Sequence, residues 1–140
     1  SCHMDQYLED TDIWHGQKIK GMDAFDIVDL WIEDVVELNE KQLYSYIRSA
    51  QILEEDCERR SVEKIKKYNL PVDIDRYIQT ANAYVLFYNV IPITRKWYEI
   101  GKEPYNNSTI VDAMPTTFLD FDNPPEDLIN LMINEMYGDS

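Results

Sequence analysis

Glycine is nearly missing from the body of this chain. Of four glycines in 140 residues, only Gly101 lies between positions 22 and 137. Left-handed turns cost least at glycine, so a fold of many tight β-turns is disfavoured and helices are favoured. Histidine and cysteine are almost as scarce, at two each. Residues 1–4, Ser1-Cys2-His3-Met4, read as a cloning scar ahead of a native Met4, which leaves only His15 and Cys57. That is too few ligands for zinc, and a lone cysteine has no internal disulfide partner, so Cys57 is expected reduced and the location cytoplasmic.

Catalytic signatures are missing too. There is no Gly-rich phosphate loop, G-x-S-x-G, H-E-x-x-H, paired C-x-x-C or Glu-x-x-His. No enzyme, cofactor or metal is therefore expected. Glu54, a carboxylate inside an apolar stripe, is read as an edge residue or a partner of a neighbouring tyrosine. The longest apolar run, "AYVLFYNVIPI", is far shorter than a membrane span and contains Asn and Pro, so no membrane association is expected. Overlapping sequons at Asn106 and Asn107 read as chance matches in a chain with no leader.

Positive charge is the last deficit. The net charge is −14: residues 1–40 carry −9, residues 41–102 carry +3, and residues 103–140 carry −8 with no base at all. Such a chain repels nucleic acid and anionic membranes and attracts basic proteins. The basic stretch "ERRSVEKIKK", with Arg59, Arg60, Lys64, Lys66 and Lys67, is interleaved with Glu58 and Glu63 and suits the C-terminal end of a helix. It reads as a solvated face; direct nucleic-acid binding is not expected.

What is present is helical periodicity. An acidic arm over 5–22 precedes a single helical domain over 23–137. At 100° per residue Phe25, Val28, Trp31, Ile32 and Val35 share one side, predicting a helix over about 23–38. Asn39 and Gln42 form a capping box opening a helix over 39–69, whose stripe runs Leu43, Tyr46, Ile47, Ala50, Leu53, Cys57, Ser61, Ile65, Tyr68. Ile74, Tyr77, Ile78, Ala81, Tyr84, Val85 and Tyr88 predict a third helix over 73–90. A short one is expected over 92–101 after Pro92. "NPPED" predicts a last helix over 124–137, with Asn123 as cap and Glu126 completing a capping box. "STIV" and "TTFLDF" have strand composition and admit a short β-hairpin within 105–122. The expected fold is all-α, a four- to five-helix bundle built on a long antiparallel helical hairpin.

Asp26, Asp29, Glu33, Glu37 and Glu40 recur every three or four residues opposite the apolar side, and no Lys or Arg interrupts Asp23–Glu40. Like charges at that spacing cost a few tenths of a kcal/mol, so some positive surface is expected to offset them. That surface is a partner's or the chain's own basic segment. Aromatic residues in acidic irregular segments, Trp14, Tyr105, Phe118 and Phe121, are candidate interface anchors. The reading is a small acidic, non-enzymatic binding protein that engages a basic protein surface as inhibitor, adaptor or regulator, with nucleic-acid mimicry as one form of it. The Ile-, Asn- and Tyr-rich composition resembles chains encoded by AT-rich bacteria or their phages. The alternative is a helical-hairpin structural or assembly-chaperone protein acting through oligomerisation; a monomer or weak homo-oligomer is expected.

Overall fold

The computed structural model describes residues 23–138. The 5–22 arm, Trp14 and His15 lie outside the described residues. Among those described there are five α-helices, one 3-10 turn and no strand, so the fold is all-α. They form two compact units, one ending at Ser61 and the other beginning at Val62, where a single domain over 23–137 is expected.

In the first unit α1 spans Ala24–Ile32, capped by the Asp23 carboxylate, which accepts the Asp26 N–H at 3.0 Å. It buries Ala24, Val28 and Trp31. The helix ends six residues earlier than periodicity predicts. Asp34 turns left-handed at φ 63°; its N–H donates to Trp31 O at 3.1 Å and the Val35 N–H to Leu30 O at 2.9 Å. These two bonds are a Schellman closure, usually made with glycine and here with an aspartate.

Helix α2 (Glu40–Lys67) begins in the first unit and ends in the second. Its predicted capping box is formed: Gln42 N–H donates to Asn39 Oδ1 at 2.8 Å and Asn39 N–H to Gln42 Oε1 at 3.1 Å. The predicted stripe is buried at Ile47, Ala50, Leu53, Cys57 and Ile65, while Tyr68 is 61% exposed beyond the helix end. A second Schellman closure ends α2: Asn69 is left-handed at φ 48°, with Asn69 N–H on Lys66 O and Leu70 N–H on Ile65 O. A chain poor in glycine thus turns its helices with Asp34, Asn69 and, at φ 52°, Arg95.

The second unit is organised by α3 (Ile74–Thr94), capped by Asp73. It contacts a 3-10 turn (Pro104–Asn106), α4 (Ser108–Ala113) and α5 (Glu126–Tyr137), and α4 also packs on α5. The core consists of Val85, Leu86, Phe87, Val90, Ile91, Ile110, Val111, Met114, Phe121 and Met132, each at most 3% exposed. Three expectations are corrected. Pro92 sits inside the last turn of α3, so one helix runs to Thr94 and none covers 92–101. No β-hairpin forms within 105–122, because the Asn107 side chain accepts the Ile110 N–H and starts α4 there. Finally, α5 begins at Glu126 with Pro125 at the cap position, so Asn123 lies two residues too early to cap it; the Asn123 amide donates to Asp120 at 3.3 Å.

Candidate interaction surface

The acidic ladder is shorter on a helix than its spacing suggests. Asp26, Asp29, Glu33, Glu37 and Glu40 are all exposed, but α1 stops at Ile32. Asp26 and Asp29 sit on α1 with Glu33 as its C-cap; Glu37 lies in the following turn, and Glu40 opens α2. Among the described residues Asp26, Asp29, Glu33 and Glu40 enter no ion pair. The effect is visible at Asp29, whose carboxyl is pushed above its ordinary range by partial burial and then by Glu33, Asp26 and Asp23. Nor does the last turn of α1 hold a base, so Glu33 meets the negative end of the helix dipole without compensation.

Part of the basic stretch is paired on its own helix. Arg59 meets Glu55 at 3.0 Å and Arg60 meets Asp56 at 2.7 Å, both at i,i+4 spacing, and Arg48 reaches Glu55 at 3.7 Å. Glu54 is 8% exposed, inside the stripe rather than at its edge. No group of three His, Cys, Asp or Glu side chains among the described residues could hold a metal. Cys57 is buried as expected, but it is disulfide-bonded, which corrects the expectation of a reduced thiol.

The predicted aromatic anchors separate. Phe121 is 2% exposed and belongs to the core, so its ring is not available to a partner. Phe118 is half-buried. Tyr105 is half-buried in an aromatic cluster, edge-on to Tyr84 at 5.7 Å and to Tyr98 at 6.1 Å. In that cluster Tyr98 is pushed up to about 12, by burial first and then by its hydrogen bond with Tyr105.

A set of polar residues on α3 went unread in the sequence. Asn82 is fully buried. Its amide nitrogen donates to Pro115 O at 3.1 Å and Thr117 O at 2.9 Å, and its oxygen accepts the Leu119 N–H at 3.1 Å. One turn earlier Gln79 donates to Met114 O at 2.9 Å, and Arg76 pairs with Asp112 at 2.6 Å. Together Gln79 and Asn82 hold the irregular 114–121 segment against α3, and Arg76 ties the end of α4 to the same helix. Their signal was available: amides three residues apart on an apolar helix face need partners, and an irregular segment has backbone groups to offer.

A shallow cleft of about 370 Å³ lies between Gly101–Asn107 and the end of α5, lined by Lys102, Glu103, Asn106 and Glu135. Glu103 accepts the Gly101 N–H at 3.1 Å, and this backbone bond holds its carboxyl below the ordinary range. Charges of both signs line the cleft, so it selects no ligand class. No described helix is long and apolar enough to cross a membrane. In comparison with known proteins, no family model, curated protein or solved structure matches this chain.

Proposed function

We propose that the protein is a non-enzymatic binding protein whose acidic α1 face engages a basic surface on a protein partner, as an inhibitor, adaptor or regulator. The observation that carries this reading is the exposed trio Asp26, Asp29 and Glu33, which enters no ion pair among the described residues. Mutual repulsion there costs stability, and a partner's Lys or Arg side chains recover it on binding. Nucleic-acid mimicry is the weaker form of the idea. Carboxylates one helical turn apart rise about 5 Å per step, against one phosphate charge per about 1.7 Å of duplex. No cofactor, direct nucleic-acid contact or membrane contact enters the reading.

The test is an affinity pull-down from the source cell with wild type and with Asp26→Lys, Asp29→Lys, Glu33→Lys combined. The expected result is a basic protein retained by wild type, released as salt rises above about 0.1 M, and absent with the variant. Equal retention by a folded variant refutes the reading. A cytoplasmic location belongs to the same proposal, and the state of Cys57 checks it. Rapid alkylation of lysed cells measures it: a disulfide that persists at Cys57 indicates an oxidising compartment and refutes the cytoplasmic location.

A second reading, action through self-association, is favoured by a different observation. Ile93, Trp97 and Ile100 are 62%, 38% and 100% exposed within eight residues of one another.

A further inference from the structure

The segment that follows α3 is irregular but well braced. Trp97 stands edge-on to Phe87 at 5.3 Å and to Tyr88 at 5.9 Å, and lies tilted against Tyr98 at 5.1 Å. Tyr98 is itself edge-on to Phe87 at 5.1 Å. From α5 the Tyr137 hydroxyl donates to Trp97 O at 3.3 Å, and Lys96 Nζ sits 5.9 Å above the Tyr137 ring. A fixed aromatic base therefore presents Ile93, the edge of Trp97 and a fully exposed Ile100 to solvent. Such exposure on a rigid support is a mark of interaction surfaces, and Trp is among the residues that most often anchor them.

Charge selects what covers it. Every base beyond Arg76 falls in this short stretch: Arg95, Lys96 and Lys102. Lys102 meets Glu99 at 3.4 Å, with side chains 65% and 77% exposed. An exposed pair of this kind is worth little and exchanges readily for another carboxylate. The complementary surface is one the chain itself carries: Asp26, Asp29 and Glu33 on α1, followed by Val35 at 64% exposure. We propose that the Ile93–Lys102 segment docks the acidic α1 face of a second copy of this chain. The inference rests on the reading of α1 as a binding face and names one source of the basic surface. The contact joins two different patches, so it is head-to-tail and builds rings or short chains rather than a two-fold dimer. The overall charge of −14 does not forbid it. At physiological ionic strength charges beyond about 8 Å are screened, while the docked charges are in contact.

The test is sedimentation velocity of the full chain from about 10 μM to about 500 μM, a span suited to weak association, near physiological ionic strength. Wild type should sediment faster as concentration rises. Lys96→Glu with Lys102→Glu, and separately Asp26→Lys with Asp29→Lys and Glu33→Lys, should each stay monomeric. Mixing the two variants should restore association, because each then supplies the charge the other lacks. Should the first variant unfold, Ile100→Glu replaces it, since that side chain is fully exposed; it should weaken association several-fold. Wild type that stays monomeric throughout overturns the proposal, as does association that survives either charge reversal or fails to return on mixing. Monomeric protein that binds phosphatidylcholine vesicles through Trp97 also overturns it. If wild type is monomeric yet loses its pull-down partner on reversal of the α1 charges, self-docking falls and the acidic-face reading stands.

Discussion

Replacing Asn82 with Ala removes three buried hydrogen bonds in one step, those to Pro115 O, Thr117 O and Leu119 N–H. At roughly 1 kcal/mol net for each, with backbone groups left unpaired against a fully buried site, the expected loss is about 3 to 4 kcal/mol. For a chain of this size that lowers the melting temperature by roughly 10 °C. Urea and thermal melts followed by circular dichroism measure it. Asn82→Asp sharpens the test. Aspartate keeps an acceptor for the Leu119 N–H but sets a carboxylate where the amide donated to two carbonyl oxygens. Burial and those carbonyls raise its folded pKa above the unfolded value of about 3.9. The protonated form then favours folding; that contribution is present below the unfolded value and lost as pH rises through the folded one. Asn82→Asp should therefore gain on Asn82→Ala as pH falls from neutral towards 3. A loss below about 1 kcal/mol for the alanine variant, or a wild-type-like aspartate variant at neutral pH, refutes the reasoning.

Asn39→Ala removes the capping-box bond that the Asn39 side chain accepts from the Gln42 N–H, while its own backbone N–H stays on Gln42, and should cost about 1 kcal/mol in a urea melt; no change would mean the cap does not hold the helix start. Asp29→Asn should raise the melting temperature at neutral pH and leave it unchanged at acid pH. The folded pKa of Asp29 is raised, so its contribution to stability is lost as pH rises through that value, and the amide escapes this. Tyr98, pushed up to about 12, should ionise after most of the other tyrosines in an alkaline absorbance titration. Its neutral form favours folding below about 10, and that contribution is lost as pH climbs through the folded value. Tyr98→Phe should remove this late component, and an unchanged titration curve counts against the burial.

The stripe along α2 was legible because burial of one helix side leaves a regular trace, and Ile47, Ala50, Leu53, Cys57 and Ile65 are all buried. The end of α1 was not. Its stop is made by Asp34 in a conformation usually taken by glycine, so no punctuation marks it. The 108–113 helix was hidden by β-branched residues whose strand preference loses to the Asn107 cap. Of the interface candidates, Phe121 misled because it follows an acidic irregular stretch. Nothing local shows that α3 draws that stretch inward through Gln79 and Asn82. The acidic residues were legible as exposed, but their division between α1, a turn and the start of α2 depended on the same unmarked stop.

The bonds from α3 to the segment it holds share one more property. They join residues separated by 36, 35, 33, 35, 37 and 32 positions, from Arg76–Asp112 to Asn89–Phe121. Near-constant separation means that the helix and the segment run in the same direction, and that all these contacts close one loop. Closing a loop of about 35 residues costs roughly 3 kcal/mol in chain entropy beyond a constant term, and it is spent on the first bond alone. Each later bond forms between groups already held close. The segment must then attach and detach as a unit, and the Leu119 amide should exchange with solvent at the rate set by release of the whole segment, not by the opening of its own hydrogen bond.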